Sequence, residues 1–533
     1  MASQWLKNLG HKASHVKMLR PLYDAQLGKL NANLTFTSFP PELIGGDGGF
    51  GRWVASNQID LNGKRIGIDT ENWFIGGQYQ QTPYFTKIHQ FDFLSDLKAL
   101  GGDIGRKTAR LLTQAWMDDF EKYHHATWSP TITAHRLVNW MTVYPYAFET
   151  ATDEFIDDLH ASIYKQFQHL HHSLDHDTDA TPYERFDILW GLIVIANHCP
   201  QLATHHFDSW LHLLKGAVED ISNPDDGLIT PNLDQWVIFA SQLLTLKQSL
   251  SSTHIKIPLW LDKRIETITR ALNLFNRGDK ALPSFHGTLS MPKNDLDKLT
   301  RLSNIRLRRT DTVFKDSGYS AIRKGKTTAI INHGIGIHAS PNAFELSHGP
   351  HPLIVNCGTH ITDPQWADSL RGINAHSTVS IDGLEPDYDL IAPMNVTMES
   401  MNGACLWCGT CEGYKKSHHV THTRRLYLDK DGYDFRGEDL LVRSFALKPI
   451  TAMARFHLHP SVKASLIKNG TAILIQIPSG AGWIFEAAHC LIALEPSVYT
   501  GADGLTVRKT SQIILTAAMD DLSHQIKWAI RRQ

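Results

Sequence analysis

The sequence predicts an α+β multidomain chain, with a helical domain over 1–300 followed by an antiparallel β-sandwich over 305–533. Three observations carry that prediction. Apolar residues recur at threes and fours through the first half, the period of a helix with one buried face. Beyond residue 305 they give way to short β-rich runs separated by Gly, Asp-Gly, Asn-Gly and Pro-Ser turns. Between the two lies 290–309, polar, charged and broken by Met291-Pro292, which reads as a linker.

The helical elements follow from the spacing. Over 105–123, Ala109, Leu112, Ala115, Trp116 and Phe120 share a face. Over 153–174 the same holds for Phe155, Ile156, Leu159, Ile163, Phe167, Leu170 and Leu174. Further windows are 185–196, 207–218, 233–246 and 259–275, with polar or proline-bearing breaks at 128–130, 175–182, 222–231 and 251–258. Successive amphipathic helices with short connections predict antiparallel pairs, stacked or closed into a ring. The β runs are 327–331, 352–355, 377–381, 424–428, 433–435, 472–477, 483–487 and 511–516. Their regular spacing favours a sandwich over βαβ units.

Composition narrows the function. With 52 Lys+Arg against 54 Asp+Glu, the net charge of −2 argues against a general nucleic-acid binder. The longest apolar run, 188–196, is about half of the ~20 residues a membrane span needs. Residues 1–28 show no continuous apolar stretch and no small-residue cleavage pattern, so the expected location is cytoplasmic, with the periplasm as the alternative. Six cysteines in 533 residues are no disulfide framework. The loop 45–49 lacks the lysine of a phosphate-binding loop, and no serine sits in a Gly-x-Ser-x-Gly elbow. Cys405-x-x-Cys408-x-x-Cys411 has a metal-like spacing, but three thiols on a hairpin without metal is the favoured reading. His457 and His459 alternate on a strand and read as structural.

One region is specific. His338-Ala-Ser-Pro-Asn-Ala-Phe-Glu-Leu346 is followed by Leu353-Ile-Val-Asn-Cys-Gly358, then Trp366 and Arg371, then Asn374-Ala-His-Ser-Thr-Val379. In order and spacing this resembles the heparinase II/III-like family, in which an HADxxSFEL-type segment, a (V/L)(D/N)xG strand and an AHxTV strand succeed one another. Phe314-x-x-Ser-Gly-Tyr319, Arg424-Arg425, Gly437-Glu-Asp439 and Arg455-Phe-His-Leu-His459 extend the match through the β half. His89-x-Phe-Asp-Phe-Leu94, and Trp128 with His135-Arg-Leu-x-Asn-Trp140, extend it into the helical half. The resemblance runs from about residue 80 to the end. It implies an α/α toroid followed by an antiparallel β-sandwich, with a cleft between them.

The resemblance also implies a polysaccharide lyase that cleaves an anionic, uronate-containing glycan by β-elimination. That chemistry needs a neutraliser for the carboxylate, a base near the C5 proton and an acid for the leaving oxygen. The resemblance makes His376 and His338 base or carboxylate-neutralising residues and Asn232 or Asn139 a neutralising amide from the toroid, with Arg371 and Arg136 as anion binders. Asn139, Trp128, Trp140, His89, Tyr414 and His418 complete the expected substrate contacts. The expected partner is an acidic polysaccharide or oligosaccharide. Three departures stand out: Ser340 replaces the Asp of HAD, Asn356 replaces a strand Asp, and Thr230-Pro-Asn-Leu-Asp-Gln235 lacks the lyases' Tyr. The missing Tyr and the cytoplasmic-looking N-terminus favour the alternative, a non-catalytic glycan-binding or envelope-polysaccharide assembly protein, whereas the retained β-domain histidines favour the enzyme. In metal-bearing members a His, an Asp and a second His hold zinc; the corresponding residues here are His338, Asn356 and His376. A neutral amide is a poor zinc ligand, so no cofactor is expected.

Overall fold

The computed structural model describes residues 20–28, 30, 33–56, 58–61, 64–67, 74, 83–176, 179–202, 205–289, 293–305, 310–334, 336, 338–361, 363–387, 395–445, 448–501 and 504–533. Most of the N-terminal stretch read for a leader lies outside them. The chain divides into two compact units, residues 1–221 with 241–265, and residues 222–240 with 266–533.

The first unit is helical. Gly102–Phe120, Pro130–Ala147, Asp153–His176, Pro182–His198 and Phe207–Asp220 are its main helices. Pro182–His198 starts at a capping box in which Thr181 and Glu184 satisfy each other's backbone amides, with Pro182 in its first turn. Every residue from Phe186 to His198 is buried, because this helix packs against Pro130–Ala147, Asp153–His176 and Phe207–Asp220 at once. The apolar run at 188–196 is thus the core of a helix layer. Among the described residues no helix is long and apolar enough to cross a membrane.

The second unit is built on two antiparallel sheets of eight and nine strands. In the eight-stranded sheet Val420–Leu428 and Asp434–Arg443 alternate buried and half-exposed positions, the mark of one wet face. In the nine-stranded sheet Thr327–Asn332 and Phe344–His348 are buried at every position. Their second face is covered by the unit's own chain, the helix residue Trp236 and the loop that follows Leu259–Leu274. Gly278 donates to Ser347 Oγ at 2.9 Å, Arg277 pairs with Glu345 at 2.8 Å, and Phe275 and Trp236 pack on Tyr319. The inner faces of both sheets share one core, where Phe344 stacks on Trp528 with centroids 5.5 Å apart and Trp407 Nε1 donates to Ser320 Oγ at 3.0 Å.

The stretch 290–309 departs from the linker expectation, since it holds the helix Lys293–Leu302. Leu296 and Leu299 fall on one face and are buried, enough to fold a segment that is otherwise polar. Residues 290–292 and 306–309 lie outside the described residues.

Candidate functional site

Three chain crossings in the nine-stranded sheet bring the motif residues together. His338 lies in the connection between Thr327–Asn332 and Phe344–His348. Asn356 follows the last residue of His351–Val355, and His376 caps the short turn Ile373–Ala375 just before Val379–Ile381. The last two strands both pair with Ile450–Leu458, which aligns their ends. The rings of His338 and His376 come to 5.5 Å between centroids.

A third histidine completes the group. His286 lies 6.1 Å from His338, ring to ring, and its Nε2 is 3.0 Å from Asn332 Oδ1. Asn332 uses its Nδ2 to donate to Ser340 O and Ser340 Oγ, so its oxygen faces His286, and His286 carries its proton on Nε2. Ser340 is therefore an acceptor for Asn332. His286 escaped the sequence reading because no periodicity or motif marks it; only the fold carries it to His338.

The group is buried and short of partners. His376 and His286 are fully buried and His338 nearly so. Among the described residues, His338 Nδ1, His286 Nδ1 and both ring nitrogens of His376 have no hydrogen-bond partner. Burial holds all three imidazoles neutral: it pushes His338 down to about 3 and His286 to about 4, and the neighbouring His286 and Arg371 add to the shift at His338. His376 is driven well below the ordinary range by burial and then by His338, His286 and His457, opposed by the backbone of Arg371, which approaches the ring without meeting hydrogen-bond geometry. Arg371 itself is exposed and makes a 3.4 Å contact with Asp368. It is the cation at the edge of this group.

The other expected contacts are distributed differently. Asn232 is half-buried and committed: its Oδ1 accepts the Asp234 amide at 2.8 Å, in the manner of an N-cap, and its Nδ2 donates to the His286 carbonyl at 3.2 Å. Tyr414 is buried, with its hydroxyl donating to the Val379 and Leu384 carbonyls at 3.3 Å. His418 contacts Ser417 Oγ at 2.8 Å and Asp382 at 3.5 Å.

In the helical unit His89, Trp128, Arg136 and Trp140 are all buried. The Arg136 guanidinium lies 4.0 Å over Trp116 and donates to Gln166 and to the His89 and Thr127 carbonyls. Trp128 donates to the Phe120 carbonyl, Trp116 donates to His89 Nδ1, and Asn139 donates to the Gln90 carbonyl and Asp92. The aromatic-and-cationic pattern expected to meet a sugar is taken up by packing inside the unit.

Zinc does not fit the three corresponding residues. Asn356 Nδ2 donates to Glu345 at 3.1 Å and its Oδ1 accepts the Ser377 amide at 2.9 Å, so its oxygen is spent and carries no charge. Cys357 faces elsewhere, 3.4 Å from His457 Nδ1, with burial raising its thiol to about 12. Among the described residues no group of three or more His, Cys, Asp or Glu is arranged to hold a metal. In Ala404–Tyr414, Cys405 and Cys411 point to one face and Cys408 to the other, as period-2 alternation requires at a spacing of three.

Residues 306–529 match the family model described as heparinase II/III-like, C-terminal. That segment is a heparinase II/III-like C-terminal domain. A crystal structure of heparinase III superposes with a TM-score of 0.73 at 13% identity, covering 98% of this chain and 90% of that one. The heparan sulfate lyase HepC from Pedobacter heparinus gives 0.61 at 12%, covering 97% and 88%. At such identities the likeness establishes the fold: an N-terminal α/α toroid and a C-terminal antiparallel β-sandwich. In sequence the chain is 25% identical over 524 residues to FtsZ-localized protein C of Caulobacter vibrioides, covering 91% of this chain and 88% of the relative. The chain is thus polysaccharide lyase-like in fold, and the histidine group lies within its heparinase-like domain except for His286, just upstream.

Proposed function

We propose that the heparinase-like domain binds an anionic, uronate-containing glycan at the histidine group and Arg371, and that it binds without cleaving. The observation that carries this reading is the His338–His376 pair, whose three ring nitrogens without partners leave hydrogen-bonding capacity beside an exposed guanidinium. Buried polar atoms of this kind call for a partner, and sugar hydroxyls are suited to neutral imidazoles. Elimination asks for more. A base whose conjugate acid titrates at about 3 is feeble near neutral pH. The Asn232 amide is engaged at both ends. The nearby Tyr319 hydroxyl donates to the Pro231 carbonyl and is pushed up by burial, so it is a reluctant acid.

The second reading, β-elimination, is supported by the neutral state of His338, which can accept a proton, and by the likeness in fold to lyases. An incoming carboxylate would raise the proton affinity of both histidines. A panel of uronate polymers separates the two readings. Binding by affinity electrophoresis with no rise in the ultraviolet absorbance of unsaturated product is expected. A rise abolished by His338→Ala would replace binding with lyase activity, and no binding anywhere in the panel would end the glycan reading.

The relative's name supplies a further proposal, that this chain also localises with FtsZ from a cytoplasmic position. Imaging a fluorescent fusion beside labelled FtsZ tests both; a diffuse or peripheral signal independent of FtsZ would refute the localisation.

A further inference from the structure

Beneath the histidine pair runs a chain of polar contacts that none of the motif roles accounts for. Glu345 is almost fully buried. Its Oε2 takes Arg277 Nη1 at 2.8 Å. Its Oε1 takes three donors: the backbone amide of Ser284 at 2.9 Å, that of Asn356 at 3.2 Å, and Asn356 Nδ2 at 3.1 Å. Asn356 passes the contact on, accepting the Ser377 amide at 2.9 Å, one peptide beyond His376. Ser377 is tied again through its hydroxyl, which donates to the Val355 carbonyl at 2.7 Å and accepts the His457 amide at 3.0 Å.

We infer that Arg277, Glu345 and Asn356 form a metal-independent strut that fixes the His376 segment, and that residue 356 is an amide because only an amide can join its two ends. The side chain at 356 must donate to a carboxylate on one side and accept a backbone N–H on the other. Asparagine does both; an ionised aspartate only accepts. The charge balance points the same way. Arg277 already faces two carboxylates, Glu345 and Asp279, the latter through contacts of 3.1 and 3.2 Å. A third carboxylate at 356 would lie against Glu345 with no further cation, unless a metal supplied one. The sequence departure at 356 and the buried Arg277–Glu345 pair are thus two halves of one arrangement. Asn356 and Glu345 are positioning residues for the histidine pair. The inference rests on that pair being the working part of the site, though not on the ligand being a glycan.

The test uses the full chain with Asn356→Asp and Asn356→Ala. The titratable groups around the strut are Glu345, Arg277 and Asp279, with Tyr499 and His459 beside Arg277, and His376 with its neighbours His338, His286 and His457. For the wild type, dialysis against zinc should leave well under one equivalent bound, and a chelator should not move the melting temperature. Asn356→Asp should melt several degrees lower above neutral pH and recover toward the wild type as the pH falls, because a protonated carboxyl again donates to Glu345. Asn356→Ala should lose stability by an amount that does not follow this pH course. Histidine ring resonances of His376, read by NMR on histidine-labelled protein, should shift in both variants. Stoichiometric zinc in the wild type, an Asn356→Asp variant as stable as the wild type at alkaline pH, or unchanged His376 resonances would each overturn the inference. None of these readouts involves a glycan, so failure of the glycan panel and failure of the strut are separate results.

Discussion

Two buried polar groups in the same unit are built on opposite plans. The first is Arg424 with Asp439, both fully buried. Arg424 Nε and Nη2 grip the carboxylate at 2.7 and 3.1 Å, and Nη1 donates to the Asn342 and Ser377 carbonyls at 2.9 Å. His422 and Trp528 complete the carboxylate's shell at 2.8 and 3.1 Å. The second is His338 with His376, almost equally enclosed, where three ring nitrogens find no partner among the described residues. Satisfied buried polar groups hold a fold together, whereas unsatisfied ones cost stability and persist where something else requires them. The contrast sets the histidine pair apart from the Arg424–Asp439 pair, although single buried atoms without partners, such as Trp140 Nε1 and Trp483 Nε1, occur elsewhere.

The largest expected effect sharpens that contrast. Asp439→Asn leaves the Arg424 guanidinium buried without a counter-charge, a loss of about 3–5 kcal/mol. Chemical denaturation should show it as a large drop in midpoint, or as failure to fold. His376→Leu should behave in the opposite way. It removes two buried nitrogens that lack partners, so stability should stay within about 1 kcal/mol of the wild type or rise, while glycan binding falls. A His376→Leu loss as severe as that of Asp439→Asn would erase the distinction.

Acid titration is expected to divide the two groups by window. His338 and His286 are held at about 3 and about 4, below the ordinary histidine value, chiefly by burial. Once the pH drops below the ordinary value near ~6.5, the unfolded chain takes up protons that the folded chain refuses, so stability falls from there down to the folded values. His338→Phe should flatten the stability curve in that window. Asp439 works lower. Burial would raise its carboxyl, but Arg424 and His422 win and hold it well below the usual carboxylate range. Its stabilisation is complete above the unfolded carboxylate value of ~3.9 and is lost as the pH falls toward the folded one. A curve unchanged by His338→Phe between those limits would contradict the assignment of His338 as a buried neutral base.

How far the sequence disclosed all this depended on whether a feature was local. The helix over 153–174 was legible because seven apolar residues share one face, and it forms as Asp153–His176. The motif pairs Arg424-Arg425 and Glu438-Asp439 were visible as matches, but their meaning needed register. Arg424 sits opposite Asp439 and Arg425 opposite Glu438, so one pair points into the core and the other to solvent. The aromatic and basic residues of the helical half looked like a sugar surface because packing and stacking on a ligand use the same residue types. His286 and Arg277 were invisible, since each acts on a residue far along the chain, at Asn332 and Glu345 respectively. Even the helix at 293–302 was hidden by its polar composition, because two leucines were enough to anchor it.

The smallest expected effect on stability belongs to Arg371, and it discriminates most finely on function. Its side chain is 55% exposed, and its pairing with Asp368 is a single contact of 3.4 Å one turn away on a short helix. Exposed pairs of this kind contribute under about 0.5 kcal/mol, so Arg371→Ala should barely move the unfolding midpoint. The same guanidinium is close enough to help hold His338 neutral. A uronate carboxylate approaching the histidines would therefore meet Arg371 as its nearest cation at the edge of the group. Arg371→Ala is expected to weaken glycan binding and reduce its salt dependence, and Arg371→Lys to restore part of the affinity, because charge is kept while the planar fork is lost. Affinity unchanged in Arg371→Ala, measured on the polymer that binds the wild type best, would move the carboxylate away from this edge and leave the histidines to recognise neutral hydroxyls alone.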